Sequence, residues 1–145
     1  MSVLISAIPS KEKNTRALCV GDPHFQTENV KDCEELMNKL ELLCNAAKPD
    51  FIVVLGDLLH EHERLHTQVL NRAYELITRL REYAHVYVLV GNHDAITNQI
   101  FQTPDHWMNG MKEWERVTVI DKALLETVCE WTFAFVRYFP PGLCA

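Results

Sequence analysis

Long apolar runs are absent from this 145-residue chain, and nothing in it approaches the roughly 20 uninterrupted apolar residues that a membrane-spanning helix needs. The opening stretch has an apolar run from Val3 to Ile8, with no basic residue before it and Lys11, Glu12 and Lys13 soon after. That run is too short for the apolar segment of a secretion signal. A soluble protein, cytoplasmic or otherwise intracellular, is the expectation. Paired-thiol motifs are also lacking: Cys19, Cys33, Cys44, Cys129 and Cys144 are odd in number and contain no C-x-x-C. Four of them lie in apolar surroundings, which predicts reduced core thiols rather than a disulfide framework. Basic residues are few, 14 Lys and Arg against 20 Asp and Glu, for a net charge of −6. A surface that coats polyanions is thereby excluded, because non-specific nucleic-acid binding rests on Lys and Arg neutralising phosphates. An anionic ligand is still admissible, since bound divalent cations reverse the field around a site whatever the global charge. Finally, there is no G-x-S-x-G, no P-loop and no cysteine-phosphatase-like loop, so these nucleophile and phosphate-binding devices are missing.

What is present suffices for a core. Hydrophobic residues make up 48% of the chain, and a domain near this size hides roughly 70% of its unfolded surface. No repeat, low-complexity stretch or linker composition divides it, so residues 1–145 read as one domain. Apolar, β-branched runs at Ala17 to Gly21, Phe51 to Gly56 and Val86 to Gly91 each end in Gly followed by a polar residue, the pattern of buried parallel strands. Between the first two, Val30, Cys33, Leu36, Met37, Leu40, Leu43 and Cys44 recur at helical spacing. Leu65, Val69, Ala73, Leu76, Ile77 and Leu80 do the same between the second and third. The order is β-α-β-α-β. Beyond Asn92 the pattern weakens, with short strands expected at Val117 to Ile120 and Trp131 to Tyr138 and a turn at Pro140-Pro141-Gly142.

Three strand ends carry Gly21-Asp22-Pro23-His24, Gly56-Asp57-Leu58-Leu59-His60 and Gly91-Asn92-His93-Asp94. The carboxyl ends of parallel strands open on one edge, where ligands bind in open α/β folds, so the three motifs converge. Taken singly, Asp22 reads as a cap, His24 as a surface or core residue and Asn92 as a turn residue. Together, Asp22, His24, Asp57 and Asn92 offer oxygen and imidazole donors suited to Mn²⁺, Fe or Zn²⁺. A carboxylate such as Asp57 can bridge two ions with its two oxygens.

The stretches GDPH, GDLLH and VGNHD, within Ala17 to Asp94, resemble the D-x-H, GD and GNH[DE] signatures of the calcineurin-like metallophosphoesterases. The resemblance implies an α/β fold, the metallophosphoesterase-like α/β/β/α sandwich, of which this chain would hold the first βαβαβ half and the start of the second sheet. It implies a metal-dependent phosphoester hydrolase, a phosphatase or a phosphodiesterase or nuclease, with two divalent ions whose identity among Mn, Fe and Zn is open. In the roles it implies, Asp22 and His24 bind one ion, Asp57 bridges and Asn92 binds the other. His93 contacts the substrate phosphate and protonates the leaving oxygen, and Asp94 orients it. Imidazole suits proton transfer at neutral pH, and a carboxylate can fix its tautomer. Whether the phosphoester is a protein, a nucleotide or a nucleic acid is left open, since loops and appended domains set that choice.

The chain departs from the family pattern in its second half. After His106 it has no histidine, whereas the family adds a strand-borne histidine and a late G-H-x-H or related pair. One ion would then have Asp22, His24 and Asp57, and the other Asp57 and Asn92 alone, a poor shell. Two expectations follow: a C-terminally incomplete domain, completed by a missing half, or a reduced domain that takes ligands from a protein partner. A non-catalytic interaction module on this fold is the alternative function. The aromatic stretch Trp131, Phe133, Phe135, Tyr138 and Phe139 is expected to lack a sheet partner and leave an apolar face open. His60, His62 and His66 follow Asp57 closely enough to reach the site mouth, and they read first, with His106, as incidental histidines on solvated surface; Arg64 reads as an exposed ion-pair residue, with a substrate phosphate as its alternative partner. Trp107, Trp114 and Trp131 read as core or interface anchors.

Overall fold

The computed structural model describes residues 14–61, 65–96 and 103–138. The expectations placed on Val3 to Ile8, His62, Arg64, Phe139, Cys144 and the Pro140-Pro141-Gly142 turn lie outside these. Strands β1 (Ala17–Val20), β2 (Phe51–Val54) and β3 (His85–Leu89) alternate with helices α1 (Val30–Ala47) and α2 (Thr67–Arg81). A 3₁₀ helix (Trp107–Glu113) then leads to β4 (Val117–Ile120), and a hairpin of β5 (Leu124–Val128) and β6 (Trp131–Phe135) follows. The first four strands form one parallel sheet in the order β1-β2-β3-β4. Strands laid down in one direction by crossovers of one hand put every connection on the same face. Accordingly α1, α2 and the 3₁₀ helix share one core with that side of the sheet.

Period-two alternation along the strands divides the interior into two cores. Ile52 and Val54 of β2 and Val86 and Val88 of β3 point to the helices, and each is 0% exposed. Burial at that level stabilises by about 1.5–3 kcal/mol per side chain. They meet Cys33, Met37, Leu40 and Cys44 from α1 and Val69, Ala73, Leu76, Ile77 and Leu80 from α2. Phe51, Val53, Tyr87 and Ile120 point the other way and meet Phe133 and Phe135 of the hairpin.

This second core corrects the expectation of an open aromatic face. β6 pairs antiparallel with β5, a strand the sequence reading passed over because Leu124–Val128 carries Glu126 and Thr127 between its apolar residues. Phe135 stacks on Tyr87 at 4.4 Å between ring centroids, and Phe133 meets Phe51 at 4.9 Å. The Tyr87 hydroxyl donates to Glu126 Oε1 at 2.9 Å, tying the hairpin to the sheet by its polar edge. At the far side of the sheet, β1 is an edge strand: Val20 is buried on the helix side, while Cys19 on the other is exposed. The cysteine expectation therefore holds for Cys33 and Cys44, whose burial pushes their thiols up, and not for Cys19 and Cys129, which are exposed and free.

Trp107 and Trp114 pack on the main core and Trp131 on the second, in keeping with their reading as anchors. Across the helices, Arg79 of α2 donates to Glu34 of α1 at 2.9 Å and to Glu75 at 2.5 Å. Among the described residues, no helix is long and apolar enough to cross a membrane.

Candidate metal centre

The turns after β1, β2 and β3 lie together at one sheet edge because their backbones are bonded to one another. His24 N–H donates to the Asp57 carbonyl at 3.0 Å, Phe25 N–H to the Leu58 carbonyl at 2.7 Å and His60 N–H to the Phe25 carbonyl at 3.2 Å. This short parallel ladder, with a bridge between Phe25 and Leu59, sets the first motif against the second. Asp22, His24 and Asp57 all have positive φ, at 32°, 46° and 49°. Non-glycine residues in that region are strained and cluster where a site over-determines the backbone.

Two glycines bring the second motif against the third. Gly56, at φ 95°, has the backbone of Gly91 so near that a Cβ on Gly56 would stand 2.8 Å from Gly91 Cα. The Asp57 carboxylate crosses above this contact. Its Oδ1 accepts the His93 N–H at 2.9 Å, and its Oδ2 lies 4.0 Å from His24 Nε2. That second separation is too long for a hydrogen bond and short enough for an ion between the two atoms. Asp22 is exposed and Asn92 half-buried, each at the end of its strand on this edge.

Asp94 is 2% exposed. Its Oδ2 accepts the N–H groups of Asp57 at 2.7 Å and Gly91 at 3.0 Å, and its Oδ1 accepts those of Leu58 at 3.2 Å and the Trp107 indole at 3.0 Å. Burial pushes its carboxyl up to about 6, against the downward pull of the Gly91 and Trp107 donors. The four N–H donors favour the carboxylate at neutral pH. The Trp107 contact ties the centre to the 3₁₀ helix before β4.

His93 Nδ1 lies 2.6 Å from the His60 carbonyl. A carbonyl only accepts, so the proton is on Nδ1. His60, read from sequence as incidental, stands with its ring centroid 5.6 Å from those of both His24 and His93, and His24 and His93 are 5.1 Å apart. The signal was its place in GDLLH, three residues past Asp57, on a turn that returns beside Phe25. His66 is exposed near Glu61. His106 is not on solvated surface: it is buried at the start of the 3₁₀ helix, with Nε2 3.6 Å from Asp121 Oδ2.

A family model for calcineurin-like phosphoesterases matches residues 15–136. The chain belongs to the calcineurin-like phosphoesterases. Two curated relatives are each 42% identical to it, phosphoesterases by name, one from Invertebrate iridescent virus 3 and one from Invertebrate iridescent virus 6. The matches cover 91% and 89% of this chain, and 38% and 45% of the relatives. The chain therefore spans less than half the length of either. The four-stranded parallel sheet with helices on one face agrees with part of a metallophosphoesterase-like domain. Divalent metal ions are general in the family, and the donors here suit them. His24 Nδ1 is buried with no hydrogen-bond partner among the described residues, and oxygen and imidazole donors of three motifs meet at one edge.

Proposed function

We propose that this chain carries the first part of a two-metal phosphoester hydrolase site, and one observation supports the reading above others. Asp57, on the middle of three converging turns, faces His24 with one oxygen and holds the His93 backbone with the other. In this reading Asp22, His24 and Asp57 hold one ion, and Asp57 and Asn92 contribute to the second. Paired ions, when bound, lower the pKa of water and clamp the attacking and leaving oxygens in line.

The remaining work falls to side chains of the β2 and β3 turns. His93, protonated, keeps Nδ1–H on the His60 carbonyl and presents Nε2–H to the leaving oxygen as a general acid. The His60 carbonyl thus takes the orienting part that the family resemblance gives to Asp94. Asp94 positions the centre indirectly, by holding the Asp57 and Gly91 backbones. Two protein ligands leave the second ion short of donors, so the full shell draws on residues beyond these.

The test is metal content after gel filtration, with turnover of p-nitrophenyl phosphate and bis-p-nitrophenyl phosphate in Mn²⁺. It uses this chain and one continued with the remainder of an iridescent virus relative. Bound metal that falls sharply in Asp57→Asn, and turnover that is weak in the chain and strong in the continued form, is the expected result. Unchanged stoichiometry in Asp57→Asn would sink the metal assignment. Absence of turnover in the continued form would favour an interaction module.

A further inference from the structure

We infer that His24, His60 and His93 form a separate binding site for a single Zn²⁺ or Cu²⁺ ion, which holds the chain in an inhibited state by capturing the imidazole proposed as the general acid. A ligand nitrogen from each of the three lies within 4.8 Å of the other two. Around a tetrahedral ion with nitrogens at 2.0–2.1 Å, imidazole centroids stand about 5 Å apart. The observed centroid separations of 5.1, 5.6 and 5.6 Å already sit near that value. Nitrogens around such an ion stand about 3.4 Å apart, so closing the set from 4.8 Å takes side-chain rotations, and His60 is exposed and able to make them.

Two further features favour ligation. The His93 Nδ1 proton on the His60 carbonyl leaves the ring's lone pair on Nε2, the support that ligating histidines commonly receive from a backbone carbonyl. It also ties one ligand to the residue bearing another. His24 Nδ1 has no hydrogen-bond partner among the described residues, so the ring gives up nothing there when it turns. Three neutral imidazoles are a zinc- or copper-type set, whereas the productive set, with the oxygens of Asp22, Asp57 and Asn92, also admits harder ions such as Mn²⁺. His24 belongs to both sets, so the two modes compete. An ion on the three histidines withdraws His24 from the productive set and His93 from the substrate.

The inhibition rests on the phosphoester reading, while the ligand set differs from the productive one in using His60 and doing without Asp57. Purified chain is titrated with Zn²⁺ by calorimetry and loaded with one Cu²⁺ for electron paramagnetic resonance, beside His60→Ala, His60→Gln and Asp57→Asn. The expected result is hyperfine coupling to three nitrogens in the wild type and in Asp57→Asn. In both His60 variants the coupling should drop to two or fewer, with affinity lower by about a hundredfold, at the upper end of what loss of a supporting partner alone costs. Unchanged affinity and nitrogen count in the His60 variants would overturn the proposal. So would equal loss in Asp57→Asn, which would assign the ion to the carboxylate set. Circular dichroism of the His60 variants checks folding, which an exposed side chain should not disturb.

Discussion

Gly91 lies directly beneath the carboxylate of Asp57, so close that a Cβ at Gly91 would stand 2.1 Å from Oδ1 and 2.4 Å from the Asp57 nitrogen. The glycine is required by space, and the space is what lets the β2 and β3 turns share one carboxylate. Gly91→Ala is expected to force these turns apart and destabilise the fold by about 3 kcal/mol, at the upper end of overpacking costs. Urea midpoints and Mn²⁺ content measured on the same preparation should fall together. A variant with both intact would show that the turns have room to relax.

Asp94→Asn keeps the size of the side chain and replaces an acceptor by an NH₂ donor. Each carboxylate oxygen of Asp94 now takes two N–H groups, so either orientation of the amide leaves a donor facing donors. A loss of about 2–4 kcal/mol is expected, because orphaned buried donors cost about 1–3 kcal/mol each. Equilibrium unfolding gives the number, and hydrogen exchange at the Asp57 and Gly91 amides should quicken with it.

His93→Ala is expected to leave metal content nearly intact and lower turnover by about 10²–10⁴-fold, the usual worth of a proton donor. The measurement belongs in the continued form described above. Loss of metal in parallel with activity would make His93 a ligand of the productive site.

Phe135→Ala tests the hairpin. Its ring is 1% exposed and stacked on Tyr87, and truncating such a residue costs about 3–5 kcal/mol. The variant should bind a hydrophobic dye and self-associate by light scattering, since the face covered by β6 is reopened. A monodisperse variant would mean that the hairpin contributes little cover.

Acid should destabilise the fold through two histidines. Burial lowers the pKa of His85, which shares a 2.8 Å hydrogen bond with Thr118, and of His106, where Lys112 lowers it further against the opposing pull of Asp121. The unfolded chain takes up these protons near pH 6.5 while the folded chain resists. Their contribution is complete above about pH 7, begins to fall near 6.5 and is lost as pH drops through the lowered folded values. Asp94, with its carboxyl raised to about 6, acts in the opposite sense below that pH. The difference between wild type and His106→Phe in urea midpoint isolates the His106 part. It should shrink from pH 7.5 to pH 5, and a constant difference would count against it.

Much of the first half was legible because its signals are local. The glycine-terminated runs at Val54 and Leu89 mark strands buried on both faces, the run at Val20 marks an edge strand buried on one, and the stripes through Met37 and Leu76 mark helices buried on one. The hairpin was half seen: β6 announces itself in alternating aromatics, whereas β5, exposed on one face and broken by Glu126 and Thr127, has no pattern strong enough to stand apart from a loop. His106 and Cys19 were misplaced for the same reason in opposite directions. Burial of an isolated residue depends on what the chain brings over it, and that is not written in its neighbours.

The chemistry followed the same division. Residue type and position after a strand determined which groups reach the sheet edge, because a parallel strand delivers its next residue there whatever the rest of the chain does: Asp22, Asp57 and Asn92 were fixed in that way. Which of those groups touch was decided by tertiary structure. The Asp94 carboxylate turned inward to four N–H donors, the His60 carbonyl took the His93 proton, and three histidines from three turns came within reach of one another. Those contacts rest on the close approach of Gly56 to Gly91 and on the ladder between residues 24–25 and 57–60. Such approaches are set by packed backbones distant in sequence, and no local spacing encodes them.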